Sequence, residues 1–150
     1  MRASCLSRML VTGCEWERGV GMAHRREQIL VVEDDPTLAK MIQLRLELVG
    51  LKVQTLGKGA EALKVAAEHR PDLVILDLRL PDINGYHVCR ELRKLYHSWD
   101  VPIVMLTGMT QPIDQVRGFA HGADAYLTKP YEPSELLQVV TTLLRETALA

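Results

Sequence analysis

A chain of 150 residues is long enough to bury one sizeable core and points to a single domain. Its formal net charge of -1 lacks the basic excess of a nucleic-acid-binding surface, and no apolar run approaches the roughly eighteen residues needed to span a bilayer. Cys5, Cys14 and Cys89 form neither a CxxC nor a zinc-ligand spacing, which fits unpaired thiols in a reducing cytosolic interior.

Residues 1–27 carry Arg2, Arg8, Arg18, Arg25 and Arg26, and their apolar patch Met9-Leu10-Val11 is too short for a signal-peptide core. With no periodic pattern before Gln28, the segment reads as a poorly ordered extension, and Met22 is an alternative translation start. Ile29-Leu30-Val31-Val32 is a continuous apolar run, the mark of a strand buried on both faces. Asp35-Pro36 reads as an N-cap with proline at the first helical position. Leu38, Met41, Ile42, Leu46 and Val49 follow at helical spacing, and Gly50 suits the stop.

The cycle then repeats. A strand near 52–56 leads to a helix carrying Ala60, Leu63 and Ala67. The strand 73–76 leads to a helix with Val88, Leu92 and Leu95. A strand over 101–106 precedes a helix with Ile113, Val116 and Ala120, and a short strand over 125–127 precedes a last helix, capped by Ser134, with Leu137, Val140 and Leu144. Five strand–helix units with short connections predict an α/β fold: a doubly wound three-layer sandwich, its parallel sheet covered by helices on both faces. In such sheets function collects beyond the carboxyl ends of the strands.

The residues at those ends are Glu33-Asp34-Asp35, Asp77, Thr107-Gly108 and Lys129-Pro130. Taken singly, Asp35 is a helix cap, Asp77 the start of a turn, Thr107 a β-branched strand residue and Lys129 a solvated cation. Brought together they are a carboxylate cluster with one hydroxyl and one ammonium. Clustered carboxylates raise their pKa values or bind a cation, and oxygen ligands at an open site suit Mg2+.

On the stretches ILVVEDDP, LVILDLRLPDINGY, VPIVMLTG and ADAYLTKPYEP, the chain resembles the receiver (CheY-like) domain of bacterial two-component response regulators, over about residues 28–147. The resemblance implies a flavodoxin-like (βα)5 sandwich with strand order 2-1-3-4-5. It implies that Asp77 is the phosphoacceptor and that Glu33, Asp34, Asp77 and the backbone carbonyl of Arg79 hold Mg2+, with Mn2+ as a substitute. Thr107 would bond a phosphoryl oxygen, Lys129 would pair with Asp77 or the phosphoryl group across a cis Lys129–Pro130 peptide, and Tyr126 would be the aromatic switch.

The family's donor is a phosphohistidine on a sensor histidine kinase or histidine phosphotransfer protein, so the module is a phosphorelay phosphoacceptor rather than a turnover enzyme. Its implied output is contact with an effector protein through the face of the fourth helix, fifth strand and last helix, or a homodimer formed on phosphorylation. No direct nucleic-acid contact and no membrane insertion are expected. Only 147–150 follow the last helix, so as given the sequence reads as a stand-alone cytoplasmic receiver. The alternative is a receiver belonging to a larger regulator with a DNA-binding or enzymatic output domain.

Several positions depart from the commonest family pattern: Arg79, Gly108, Met109 and Tyr131. Arg79 and Met109 beside the phosphoryl group lead to an expectation of slow dephosphorylation. Two rival readings are weaker. The G-x-G-x-x-A string from Gly57 to Ala62 follows the second strand, whereas a dinucleotide fingerprint follows the first. An aspartyl phosphatase would need a proton donor where Arg79 stands, and a guanidinium cannot serve near neutral pH.

Overall fold

The computed structural model describes residues 25–108 and 110–149. The extension up to residue 24, with Met22, Cys5 and Cys14, lies outside the described residues, as does Met109 with its expected shielding role.

Strands β1 (Gln28–Val32), β2 (Lys52–Leu56), β3 (Leu73–Asp77), β4 (Ile103–Thr107) and β5 (Ala125–Thr128) alternate with helices α1 (Pro36–Leu48), α2 (Gly59–Glu68), α3 (Gly85–Leu95), α4 (Pro112–Ala120) and α5 (Pro133–Leu149). All neighbouring strands are parallel, and their order is β2-β1-β3-β4-β5, the flavodoxin-like receiver fold.

The unbroken apolar runs have a simple cause. Alternate residues of one strand enter opposite cores, so both parities must be apolar. Leu30, Val32, Val74, Leu76, Ile103 and Met105 pack with Ala62 and Ala66 of α2 and with Val88, Cys89 and Leu92 of α3. Ile29, Val31, Leu73, Ile75, Val104 and Leu106 pack on the other face with Ile42 and Leu46 of α1 and with Leu136 and Val140 of α5.

Asp35 caps α1 as its position suggests, accepting from the N–H groups of Thr37 and Leu38 at 2.9 and 3.3 Å, and Gly50 follows the helix at φ +91°. Elsewhere the helical faces turn from where their spacing alone would set them. Met41 and Val49 are exposed, and Ala62 and Ala66, rather than Ala60 and Ala67, line the core side of α2. Leu95 is half exposed at the end of α3. Ser134 is not a cap: Pro133 opens α5, and the Glu135 side chain returns to the Glu132 N–H at 3.2 Å.

The largest departure is α4. Ile113, Val116 and Ala120, expected in the core, face outward, and the residues this helix buries are Asp114 and Gly118. Gly118 is needed because the helix lies directly on β4 and β5. A Cβ there would stand 2.9 Å from the Tyr126 ring and 3.1 Å from Met105 Sδ. No helix among the described residues is long and apolar enough to cross a membrane.

Candidate functional site

The ends of β1, β3, β4 and β5 present their polar groups at the same sheet edge. The ladders run one residue past their apolar stretches: Glu33 N–H donates to the Leu56 carbonyl at 2.9 Å, and Lys129 N–H to the Thr107 carbonyl at 2.7 Å. These backbone bonds fix the stems of an acid and a base on either side of β3. Strand β3 itself ends on Asp77, buried like the aliphatic residues before it.

The Lys129 Nζ donates to Glu33 Oε2 at 2.7 Å and to Asp77 Oδ2 at 3.3 Å. The other Asp77 oxygen, Oδ1, accepts the Arg79 N–H at 3.2 Å, which starts the loop after the strand, while the Arg79 side chain is exposed. Glu33, Asp34 and Asp77 bring one carboxylate oxygen each within 4.8 Å of one another, Asp34 exposed and the other two buried. The Asp35 carboxylate is engaged as the helix cap, while its backbone N–H donates to Glu33 Oε1 at 3.2 Å. Thr107 is fully buried, Tyr126 is half-buried, and the Lys129–Pro130 peptide is cis.

Burial pushes the Glu33 carboxyl up to about 7, and the charge of Asp77 adds to this while Lys129 opposes it. For Lys129, burial works to lower the ammonium, but its bonds to Glu33 and Asp77 outweigh that and hold it above its ordinary value. The site therefore holds more carboxylate than its single ammonium can neutralise. An all-oxygen donor set in a partly open position fits a hard divalent cation that keeps several waters.

Three features of the neighbourhood were hidden from sequence reasoning. Asp82 caps α2 from outside that helix, accepting from Gly59 N–H and Ala60 N–H at 2.9 Å each. Lys58, the residue that precedes α2, gives no side-chain cap. Asp114 is a buried acid on α4, and Tyr86 of α3 reaches its backbone carbonyl. A search of the sequence for an acid breaking the apolar spacing of α4 would have flagged Asp114, whereas Asp82 leaves no local signal.

Comparison with known proteins agrees with this arrangement. The family model for the response regulator receiver domain matches residues 29–141. Over 120 residues the chain is 48% identical to the DNA-binding response regulator MtrA of Mycolicibacterium smegmatis, covering 80% of this chain and 51% of that protein. Over 120 residues it is 41% identical to the DNA-binding dual master transcriptional regulator RpaA of Synechocystis, covering 80% and 50%. The chain thus spans about half the length of these curated relatives.

Among solved structures, a CheY-like receiver domain protein from Methanospirillum hungatei superposes with a TM-score of 0.78 at 28% identity, over 83% of this chain and 98% of that one. The BeF3-activated N-terminal receiver domain of Klebsiella pneumoniae RstA gives 0.74 at 34% identity, over 79% and 99%. Membership of a signalling family, and not the lack of any group, separates the chain from turnover enzymes. With the fold, the acidic pocket and these matches in agreement, the chain belongs to the response regulator receiver family.

Proposed function

We propose that this chain is the receiver part of a DNA-binding response regulator of two-component signalling, and that Asp77 is its phosphoacceptor. The observation that carries the assignment is the position of Asp77, at the end of the central strand, 3.3 Å from the Lys129 ammonium and within the cluster it forms with Glu33 and Asp34. The relatives, of which the matched 120 residues are only about half and which are DNA-binding regulators by name, support the reading that DNA contact belongs to a further part of the protein.

Asp77 Oδ attacks the phosphorus of a phosphohistidine on a sensor kinase or phosphotransfer protein. The P–N bond breaks, its electron pair returns to the imidazole, and an acyl phosphate forms on Asp77. Like-charge repulsion opposes this approach, and Lys129 screens it from one side. Glu33, Asp34, Asp77 and the Arg79 carbonyl would hold Mg2+, which when bound neutralises phosphoryl oxygens. Thr107 receives a phosphoryl oxygen, and Tyr126 with α4 responds to the new charge. The exposed apolar side chains of Ile113, Val116 and Phe119 support α4, β5 and α5 as the face that meets an effector or a second copy. A cytoplasmic location follows from the kinase partner.

Incubation with acetyl phosphate and Mg2+, read by intact mass, tests the assignment. One phosphoryl adduct that disappears in Asp77→Asn is expected. An adduct that survives Asp77→Asn, or none in the wild type, would refute it. An antibody against residues 28–147 should find a native protein of about twice this length in its own cells, judged from the curated relatives.

A further inference from the structure

Helix α4 is held unusually. It turns Ile113, Val116 and Phe119 outward and buries Asp114 and Gly118, so little apolar contact fixes it to the sheet. Side chains of α3 hold it instead: Cys89 Sγ donates to the carbonyl of His121, the residue that closes α4, at 3.3 Å, and Tyr86 does more. Tyr86 donates its hydroxyl to the Asp114 carbonyl, in the first turn of α4, at 3.1 Å. Its ring also lies against His121, which closes α4 at the other end, with centroids 5.0 Å apart and planes at 59°. One residue therefore touches both ends of the helix.

Tyr86 also meets Tyr126. Burial foremost, with Tyr86 adding to it, pushes the Tyr126 phenol up to about 12. Gly118 seats α4 on the Tyr126 ring from the other side. Tyr86 is in turn tied to the end of β3. Its N–H bonds Asn84 Oδ1 at 2.8 Å, and Gly85 N–H bonds the Leu78 carbonyl at 3.0 Å, one residue past Asp77. Tyr86 thus stands one peptide link from a residue hydrogen-bonded to the backbone just after Asp77.

We propose that Tyr86 is a positioning residue of the switch, a latch that joins α3 to both ends of α4 and to Tyr126 and holds them in the arrangement seen here. Tyr126 is half-buried, so an inward rotation gains burial and gives up the Tyr86 contact. The latch sets the cost of that exchange. Its part in signalling rests on the phosphoacceptor reading of Asp77, whereas its grip on α4 does not.

Tyr86→Phe keeps the ring and removes the hydroxyl. Without Mg2+ or phosphoryl donor, amides of α4 should exchange about five-fold faster than in wild type relative to those of β3, as expected for one lost hydrogen bond. Unchanged α4 exchange overturns the latch whatever else is seen. With Mg2+, the affinity for beryllofluoride should rise about five-fold in Tyr86→Phe, because the same hydrogen bond no longer opposes the switch. Faster exchange with equal beryllofluoride affinity overturns the switching role, since a merely structural contact would give that result. Should beryllofluoride bind neither protein while α4 exchange rises, the Asp77 reading falls and the grip of Tyr86 on α4 stands.

Discussion

Replacing Gly85 by alanine should damage the protein at the point where the site is built. Gly85 opens α3 with its Cα pressed on the chain that leaves β3. A Cβ added there would overlap the Asp77 carbonyl oxygen and stand 2.7 Å from Leu78 Cα and 3.1 Å from Asp77 C. Carbon atoms in ordinary contact lie about 3.5 Å apart or more, so the Leu78 contact alone is short by about 0.8 Å. Both neighbours are backbone atoms in a buried strand end, and no rotamer change relieves them. Overpacking of this kind costs about 3 kcal/mol, while the smaller chain entropy of alanine in the unfolded state returns roughly 0.5–1 kcal/mol. The net loss is about 2 kcal/mol, or a Tm lower by about 7 °C for a domain of this size.

Gly108→Ala is the matched control. It has nothing within 4 Å of the added Cβ, and Gly50 and Gly122 are the described glycines with positive φ, so it should stabilise by about 0.5 kcal/mol. Urea unfolding followed by far-UV circular dichroism gives both values on one scale. Acetyl phosphate labelling of Gly85→Ala should also slow, because Asp77 shares the displaced backbone. A Gly85→Ala protein within about 0.5 kcal/mol of wild type would show that the strand end yields to the added Cβ and is not rigid.

Arg93 binds the Gly122 carbonyl through Nε and the Val101 carbonyl through Nη1, both at 2.7 Å, and pairs through Nη2 with Asp124, whose carboxylate also accepts the Ile103 N–H at 2.8 Å. Arg93→Met should cost about 3 kcal/mol by urea unfolding, since it strands a mostly buried carboxylate and two carbonyls, and a loss below about 1 kcal/mol would contradict this. The N–H groups of Ala60 and Gly59 hold the Asp82 carboxyl below its usual range, so its contribution is present above the ordinary value of 3.8 and is lost as pH falls through the lower folded one. The Tm difference between wild type and Asp82→Asn should therefore be larger at pH 7 than at pH 3, and an equal difference would exclude the trans cap. Burial pushes the Cys89 thiol up to about 12, so in a Cys5→Ser, Cys14→Ser background it should resist alkylation at pH 8 until urea unfolds the protein. Rapid labelling of the native protein would show that Cys89 is accessible.

What the sequence made legible is what the chain spells out locally. The strands were visible because both their faces are buried, and the carboxylates, hydroxyl and lysine were visible because each interrupts an apolar run at a fixed place in the fold. Helix faces were less legible. On α1 and α2 the spacing admits two neighbouring stripes, and which one is buried depends on the sheet beneath. Met41 and Ala67 satisfy the period as well as Ala39 and Ala66 do, yet the latter pair are the buried ones.

In α4 the spacing misplaces the buried face. Ile113, Val116 and Ala120 form a helical apolar stripe, and a soluble domain ordinarily buries such a stripe. Here the buried side is Asp114 and Gly118, set by the close approach of Tyr126 and Met105, and the apolar stripe faces solvent. A helix arranged in that way gives up the burial that would fix it. It must be held by directional contacts, such as those of Tyr86 with Asp114 and His121, which a single local event can break. An apolar surface kept outward and a helix held by few bonds are two consequences of one choice of residues, and both suit an element that must move and then be recognised. The periodicity of α4 therefore marks an apolar surface outside this chain's own core, as the partner face proposed above requires.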